Sequence, residues 1–131
     1  MFEERVRYYR LSEERKRKAL VKIGRILDDE RVLLGMIFGS FVELSSFRDI
    51  DVAVYAGGKE DALDFLGRLC FRLEYEVGYP FDVVPLSMSL PPKFRVYILT
   101  KGVVVLEKVA GLVEALLFEA LDELESLRFS S

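Results

Sequence analysis

The sequence contains no histidine and no tryptophan, and none of its 131 residues is asparagine or glutamine. Without imidazole, Ser-His-Asp triads, His-ligated zinc and histidine general bases are excluded within this chain. Any chemistry must rest on carboxylates, hydroxyls, Lys and Arg, Tyr or backbone amides. The lack of thermolabile amides beside many Glu, Lys and Arg is the composition expected of a thermophile protein. Cysteine is nearly absent as well. Cys70 stands alone, so no internal disulfide forms and a reducing, cytoplasmic setting is expected. Its apolar helical surroundings mark it as a core residue rather than a nucleophile. The opening MFEERVRYYR lacks the apolar core of a signal peptide, and no run approaches the ~20 residues of a membrane helix. No membrane partner is expected.

What is present is a chain 51% hydrophobic and 31% charged, with a formal net charge of −3. That is one domain with enough apolar residues for a real core. Phe2, Val6 and Tyr9 recur at helical spacing. Ser12 is placed to cap a second helical stretch through Asp28, with Ala19, Leu20, Ile23, Ile26 and Leu27 as its apolar stripe. Arg15, Lys16, Arg17, Lys18, Lys22 and Arg25 fill most of the remainder. Val32 to Phe38 reads as a buried strand, stopped by Gly39-Ser40. A second strand runs from Asp49 to Tyr55, followed by an amphipathic helix from Asp61 to Glu76 that ends at Gly78. Phe81 to Leu86 is a third strand, with Pro85 pointing to an edge or a terminus. Pro91-Pro92 opens a short helix ending at Gly102, and Val103 to Leu106 adds a small strand. A Leu-rich helix occupies 108–128. The expectation is a single domain over 1–131, α+β (mixed α/β), with a small mixed sheet and flanking helices. Its core spans about 20–107, with helical extensions at 1–29 and 108–128.

Charge is unevenly distributed. Residues 1–25 carry nine bases and four acids, while residues 107–131 carry two bases and six acids. A basic helix is one mark of nucleic-acid binding. Here no aromatic run is interleaved with it and the chain is acidic overall. A solvated face is therefore the expected reading, and nucleic acid is not an expected partner.

The chemistry concentrates in Phe38 to Tyr55, FGSFVELSSFRDIDVAVY. Side chains two apart on a strand share a face, so Asp49 and Asp51 project together while Ile50, Val52 and Val54 point into the core. Two adjacent carboxylates repel each other unless a cation lies between them, and Mg²⁺ suits oxygen donors of this kind. Gly39 stands ten positions before Asp49. Glycine permits close backbone approach, and a Ser hydroxyl with free amides at a helix start can hold phosphate oxygens. Asp82, in the middle of FDVVPL, is unusual in a strand unless it faces the same site. If the third strand lies beside the second, it reaches the acidic pair.

Taken in order, strand, Gly39-Ser40, short helix, Asp49-x-Asp51 strand, helix and Asp82 strand resemble the minimal nucleotidyltransferases of the DNA polymerase β-like superfamily. The likeness extends through Arg95, Ile98, Gly102 and Leu106, and is greatest to the small prokaryotic members that partner HEPN-domain proteins. It implies the polymerase β-like nucleotidyltransferase fold. It further implies that Gly39 and Ser40 hold the triphosphate of ATP, that Asp49 and Asp51 ligate two Mg²⁺ ions, and that Asp82 completes the metal site and assists as base. The reaction would be in-line attack of a hydroxyl on the α-phosphate with release of pyrophosphate. Three positions depart from the pattern. Glu43 and Leu44 stand where a basic residue and Gly are usual, and Arg48 stands where Ser is common. Arg48 or Lys93 would have to supply the missing cation.

By the same resemblance, the chain is expected to transfer AMP to a Tyr of a HEPN toxin and so act as the antitoxin of a toxin–antitoxin system. A second reading is a non-catalytic antitoxin that neutralises its partner by binding. A third is transfer to a small molecule or RNA, although the chain lacks the extra domain that grips such acceptors. The 108–128 helix suits a partner, self-association into a homo-oligomer, or packing on its own sheet.

Overall fold

The computed structural model describes residues 7–129. Helix α1, Glu13–Asp29, starts where its cap predicts: the Ser12 hydroxyl accepts from the Arg15 amide at 3.2 Å, and Glu13 and Glu14 sit in the positive first turn. Helical spacing in the sequence extends back to Phe2. Phe2 and Val6 lie outside the described residues, whereas Tyr9 is extended and forms an antiparallel bridge with Phe47. Tyr9 and Phe47 exchange backbone hydrogen bonds of 2.8 and 3.0 Å, which is what overrides the helical spacing.

Strands β1 (Leu34–Phe38), β2 (Ile50–Tyr55), β3 (Phe81–Pro85) and β4 (Val103–Glu107) form one sheet in the order β3-β2-β1-β4. β1 runs antiparallel to β2 and β4, while β2 and β3 are parallel. The expected mixed sheet is therefore present, with Pro85 ending an edge strand. Every residue of β1 is buried, which is why it reads as an unbroken apolar run. Between the strands lie α2 (Ser40–Glu43), α3 (Leu63–Val77), α4 (Pro92–Lys101) and finally α5 (Leu112–Phe129).

Two apolar clusters cover the two faces of the sheet. One joins Ile23, Ile26 and Leu27 of α1 and Phe65, Leu69 and Leu73 of α3 to Ile37, Ile50, Val52 and Val54. The other joins Ile98 and Leu99 of α4 and Leu116 of α5 to Leu34, Met36, Phe38 and Ala53. Each fully buried Leu or Ile is worth about 1.5–3 kcal/mol of transfer free energy. α1 approaches the sheet closely because residue 24 lacks a side chain: a Cβ there would lie 2.6 Å from the Val105 carbonyl oxygen. α5 packs one side on α4 and leaves Phe118, Leu121 and Phe129 exposed on the other. Among the described residues, no helix is long and apolar enough to cross a membrane.

Candidate active site

Sheet register brings the predicted acids together. Phe38, the last residue of β1, pairs with Asp51 of β2, and Asp51 pairs with Asp82 of β3. Neighbours in register share a face, so Asp51 and Asp82 point to the side that carries Phe38 and Ala53. Ile50, Val52 and Val54 are fully buried on the opposite side. Asp49 lies in the bend just before β2, one residue short of the strand expected to begin with it. It remains close enough for its charge to act on Asp51. Burial first, then the charges of Asp49 and Asp82, push the Asp51 carboxyl up to about 6. Asp51 is half-buried at the centre of the group, and Asp82 is exposed at its edge.

Gly39 meets this cluster directly. Its φ of 77° and ψ of −152° belong to a region that side chains avoid, and a Cβ there would lie 2.4 Å from Asp51 Oδ2. The sequence explains Gly39 by close approach of phosphate; within the chain itself, the approaching group is the Asp51 carboxylate. Ser40 is the first residue of α2, so both candidate nucleotide-binding residues adjoin the acids.

What fixes α2 was not foreseen. Lys16, assigned from sequence to a solvated basic face, is 9% exposed and turns inward. Its ammonium donates to the carbonyl oxygens of Phe41 at 2.8 Å and Leu44 at 2.9 Å, and lies 5.3 Å from the Phe41 ring centre. It thereby satisfies carbonyls at the C-terminal end of α2, where a cation is favourable. The signal was in the spacing: Lys16 stands at i−3, i−4 and i−7 from Ala19, Leu20 and Ile23, on the apolar stripe. Behind α2, Phe47 packs on Phe41 at 4.8 Å and on Tyr79 at 5.5 Å, fixing the loop that delivers Asp49.

An aromatic rim borders the acids on the α4 side. Phe38 makes edge-on contacts with Phe94 at 5.6 Å and Tyr97 at 6.4 Å. Tyr97 donates its phenolic hydrogen to Glu43 Oε2 at 2.8 Å. No sequence signal marks this pair, because its members lie 54 positions apart. Arg95, one face away, is 3% exposed and bonds the Leu90 carbonyl and the carboxylate of Glu123, locking α4 to α5. Arg48 and Lys93, the two candidate replacements for a loop cation, are exposed and unpaired with Asp49, Asp51 or Asp82. Burial and the charges of Glu74 and Asp82 push the Cys70 thiol up, which disfavours the nucleophilic thiolate as expected.

Among the described residues, no three acidic or cysteine side chains are gathered tightly enough to enclose a metal ion as they stand. The donor set nevertheless fits a hard divalent cation. It consists of carboxylates only, two on one face of adjacent strands and Asp49 just before them, and the central one is held above its normal ionisation range by burial first and then by its negative neighbours. A cation there would offset that repulsion.

The family model described as Polymerase beta, Nucleotidyltransferase matches residues 21–110, which span the sheet, the glycine turn and all three acids. No curated protein sequence matches the chain. Among solved structures, a toxin–antitoxin with AMP-PNP aligns at a TM-score of 0.72 and 22% identity, covering 83% of this chain and 89% of that one. A tri-AMPylated Shewanella oneidensis HEPN toxin in complex with MNT antitoxin aligns at 0.70 and 21%, covering 86% and 89%. The toxin–antitoxin MntA-HepT aligns at 0.70 and 20%, covering 86% and 89%. At these identities the likeness is one of fold.

Proposed function

The chain belongs to the polymerase beta nucleotidyltransferase family, and from that premise we propose that it transfers AMP from ATP to a hydroxyl of a HEPN toxin, acting as its antitoxin. One observation supports the catalytic reading: Asp51 pairs in register with Asp82 and feels the charge of Asp49, and residue 39 is stripped of a side chain where Asp51 needs the space. The AMPylated HEPN toxin and the AMP-PNP complex among the structural neighbours support the nucleotide and the partner.

In this reading Gly39 and Ser40 hold the triphosphate, and Asp49, Asp51 and Asp82 hold Mg²⁺. When bound, Mg²⁺ neutralises phosphate charge and stabilises the entering and leaving oxygens. The chain supplies the rest. Lys16 keeps α2 and its Gly39-Ser40 turn in place, while Asp82, exposed at the rim, is placed to accept the proton of the incoming hydroxyl. Phe118 and Leu121 on the outer side of α5 give a protein partner an apolar surface to cover.

One observation favours the second reading, neutralisation by binding alone. Glu43 puts a negative charge beside the phosphate turn, where the family resemblance leads one to expect a cation. The test is to incubate the chain with Mg²⁺, labelled ATP and its HEPN partner, and to repeat with Asp49→Ala and Asp51→Ala. Label appearing on the partner, and lost in both variants, is the expected result. No label, with neutralisation that survives both substitutions, would leave binding alone as the function.

A further inference from the structure

A phenol of this chain stands at the rim of the acidic face. Tyr97 lies on α4, and its ring is edge-on to Phe38, the register partner of Asp51. Its Oη is 2.8 Å from Glu43 Oε2, and Glu43 closes the short helix that Ser40 opens. A phenol is thus held at the rim of the acidic face with a carboxylate base already on its proton. Ser40, which adjoins the acids, is assigned to the triphosphate, while Ser87 and Ser89 bond Asp61 and Thr100 bonds the Val96 carbonyl of its own helix.

Building on the nucleotidyl-transfer reading, we propose that Tyr97 is an internal acceptor, and that the chain transfers a nucleoside monophosphate to its own Tyr97 when no partner hydroxyl fills the site. A lone pair on Tyr97 Oη forms the bond to the α-phosphorus. The bond from that phosphorus to the oxygen bridging α and β breaks, and pyrophosphate leaves with its electron pair. The phenolic proton passes to Glu43. No redox change occurs, and the only co-reactant is the nucleoside triphosphate. Holding acceptor and base on the same molecule replaces a bimolecular encounter with an intramolecular one. A nucleotide fixed on Tyr97 would also fill the site, so self-modification and transfer to a partner compete.

The experiment uses the whole chain with Mg²⁺ and ATP, without partner, followed by intact mass and peptide mapping. One AMP per chain is expected, on Tyr97. It is absent from Tyr97→Phe and Asp51→Ala, and forms about 100-fold more slowly in Glu43→Gln through loss of the base. No adduct, or one mapped elsewhere, overturns the proposal. Labelling of the HEPN partner is measured in parallel. A labelled partner with bare Tyr97 rejects the internal acceptor alone, whereas no label on either protein and no pyrophosphate release rejects nucleotidyl transfer too. A metal-free ultraviolet titration checks the contact itself. Glu43 holds the Tyr97 phenol above its ordinary ionisation range, so Glu43→Gln should lower it, and an unmoved phenol also overturns the proposal.

Discussion

Gly39 and Asp51 occupy nearly the same space, and each constrains what the other can be. Alanine at 39 would have to adopt a backbone conformation that costs about 1–3 kcal/mol and would push the Asp51 carboxylate out of position. Gly39→Ala is therefore expected to lower the melting temperature and weaken Mg²⁺–ATP binding together, as read by thermal denaturation and calorimetric titration. Asp51 carries a second consequence. Its carboxyl ionises near 3.8 when exposed and near about 6 in the fold, so the folded state binds the proton more tightly. Stability from this group is complete below the unfolded value and falls as pH rises through about 6. Asp51→Asn removes that loss. At pH 8 it should raise the melting temperature by about 2–4 °C, with the gain fading toward pH 4, while nucleotidyl transfer disappears. A variant no more stable at pH 8 than at pH 4, each against wild type, would show that Asp51 is not crowded as described.

The four-residue helix α2 is too short to hold itself in place. Its position comes from Lys16 on one side and the Phe41–Phe47 contact on the other. Lys16→Met keeps most of the buried volume but leaves two carbonyls without their donor, which costs about 1–3 kcal/mol. The expected signature is a loss of ATP affinity larger than the loss of stability predicts, with partial recovery in Lys16→Arg. A variant that melts earlier yet binds ATP normally would reduce Lys16 to a packing role. The strands were largely legible, because β1 and β2 alternate or run apolar as their burial demands. Lys16 was misread because basic neighbours at 15, 17 and 18 made the whole segment look solvated.

On the scale of the molecule, the sheet buries both faces, and α5 is half of what covers the second one. Leu34, Met36 and Ile98 share a cluster with Leu116, and Arg95 finds its carboxylates, Glu119 and Glu123, on α5. A chain ended after Lys108 would expose that apolar face and leave a buried guanidinium unpaired, which is strongly destabilising, by about 3–5 kcal/mol. It should lose its cooperative melting transition and bind a hydrophobic dye such as ANS. A sharp transition retained without 109–131 would show that α5 is an appendage to the domain. The charge asymmetry of the sequence maps onto opposite layers: basic α1 lies against one face of the sheet, acidic α5 against the other.

By itself the sequence determined the kinds of group available and most of the elements that carry them. Zero histidine directs the chemistry to carboxylates, alternation in DIDVAVY sets two acids apart from three core residues, and Ser12 and Gly78 mark helix ends. These are local properties, fixed by periodicity and by residue types that suit caps and turns. Tertiary structure decided which distant groups meet. Asp82 joins Asp51 only because β3 pairs with β2 in parallel at that register. Lys16 reaches α2 across 25 positions and Tyr97 reaches Glu43 across 54. No local pattern encodes such contacts, because sheet pairing and helix packing, not neighbouring residues, bring their partners within reach.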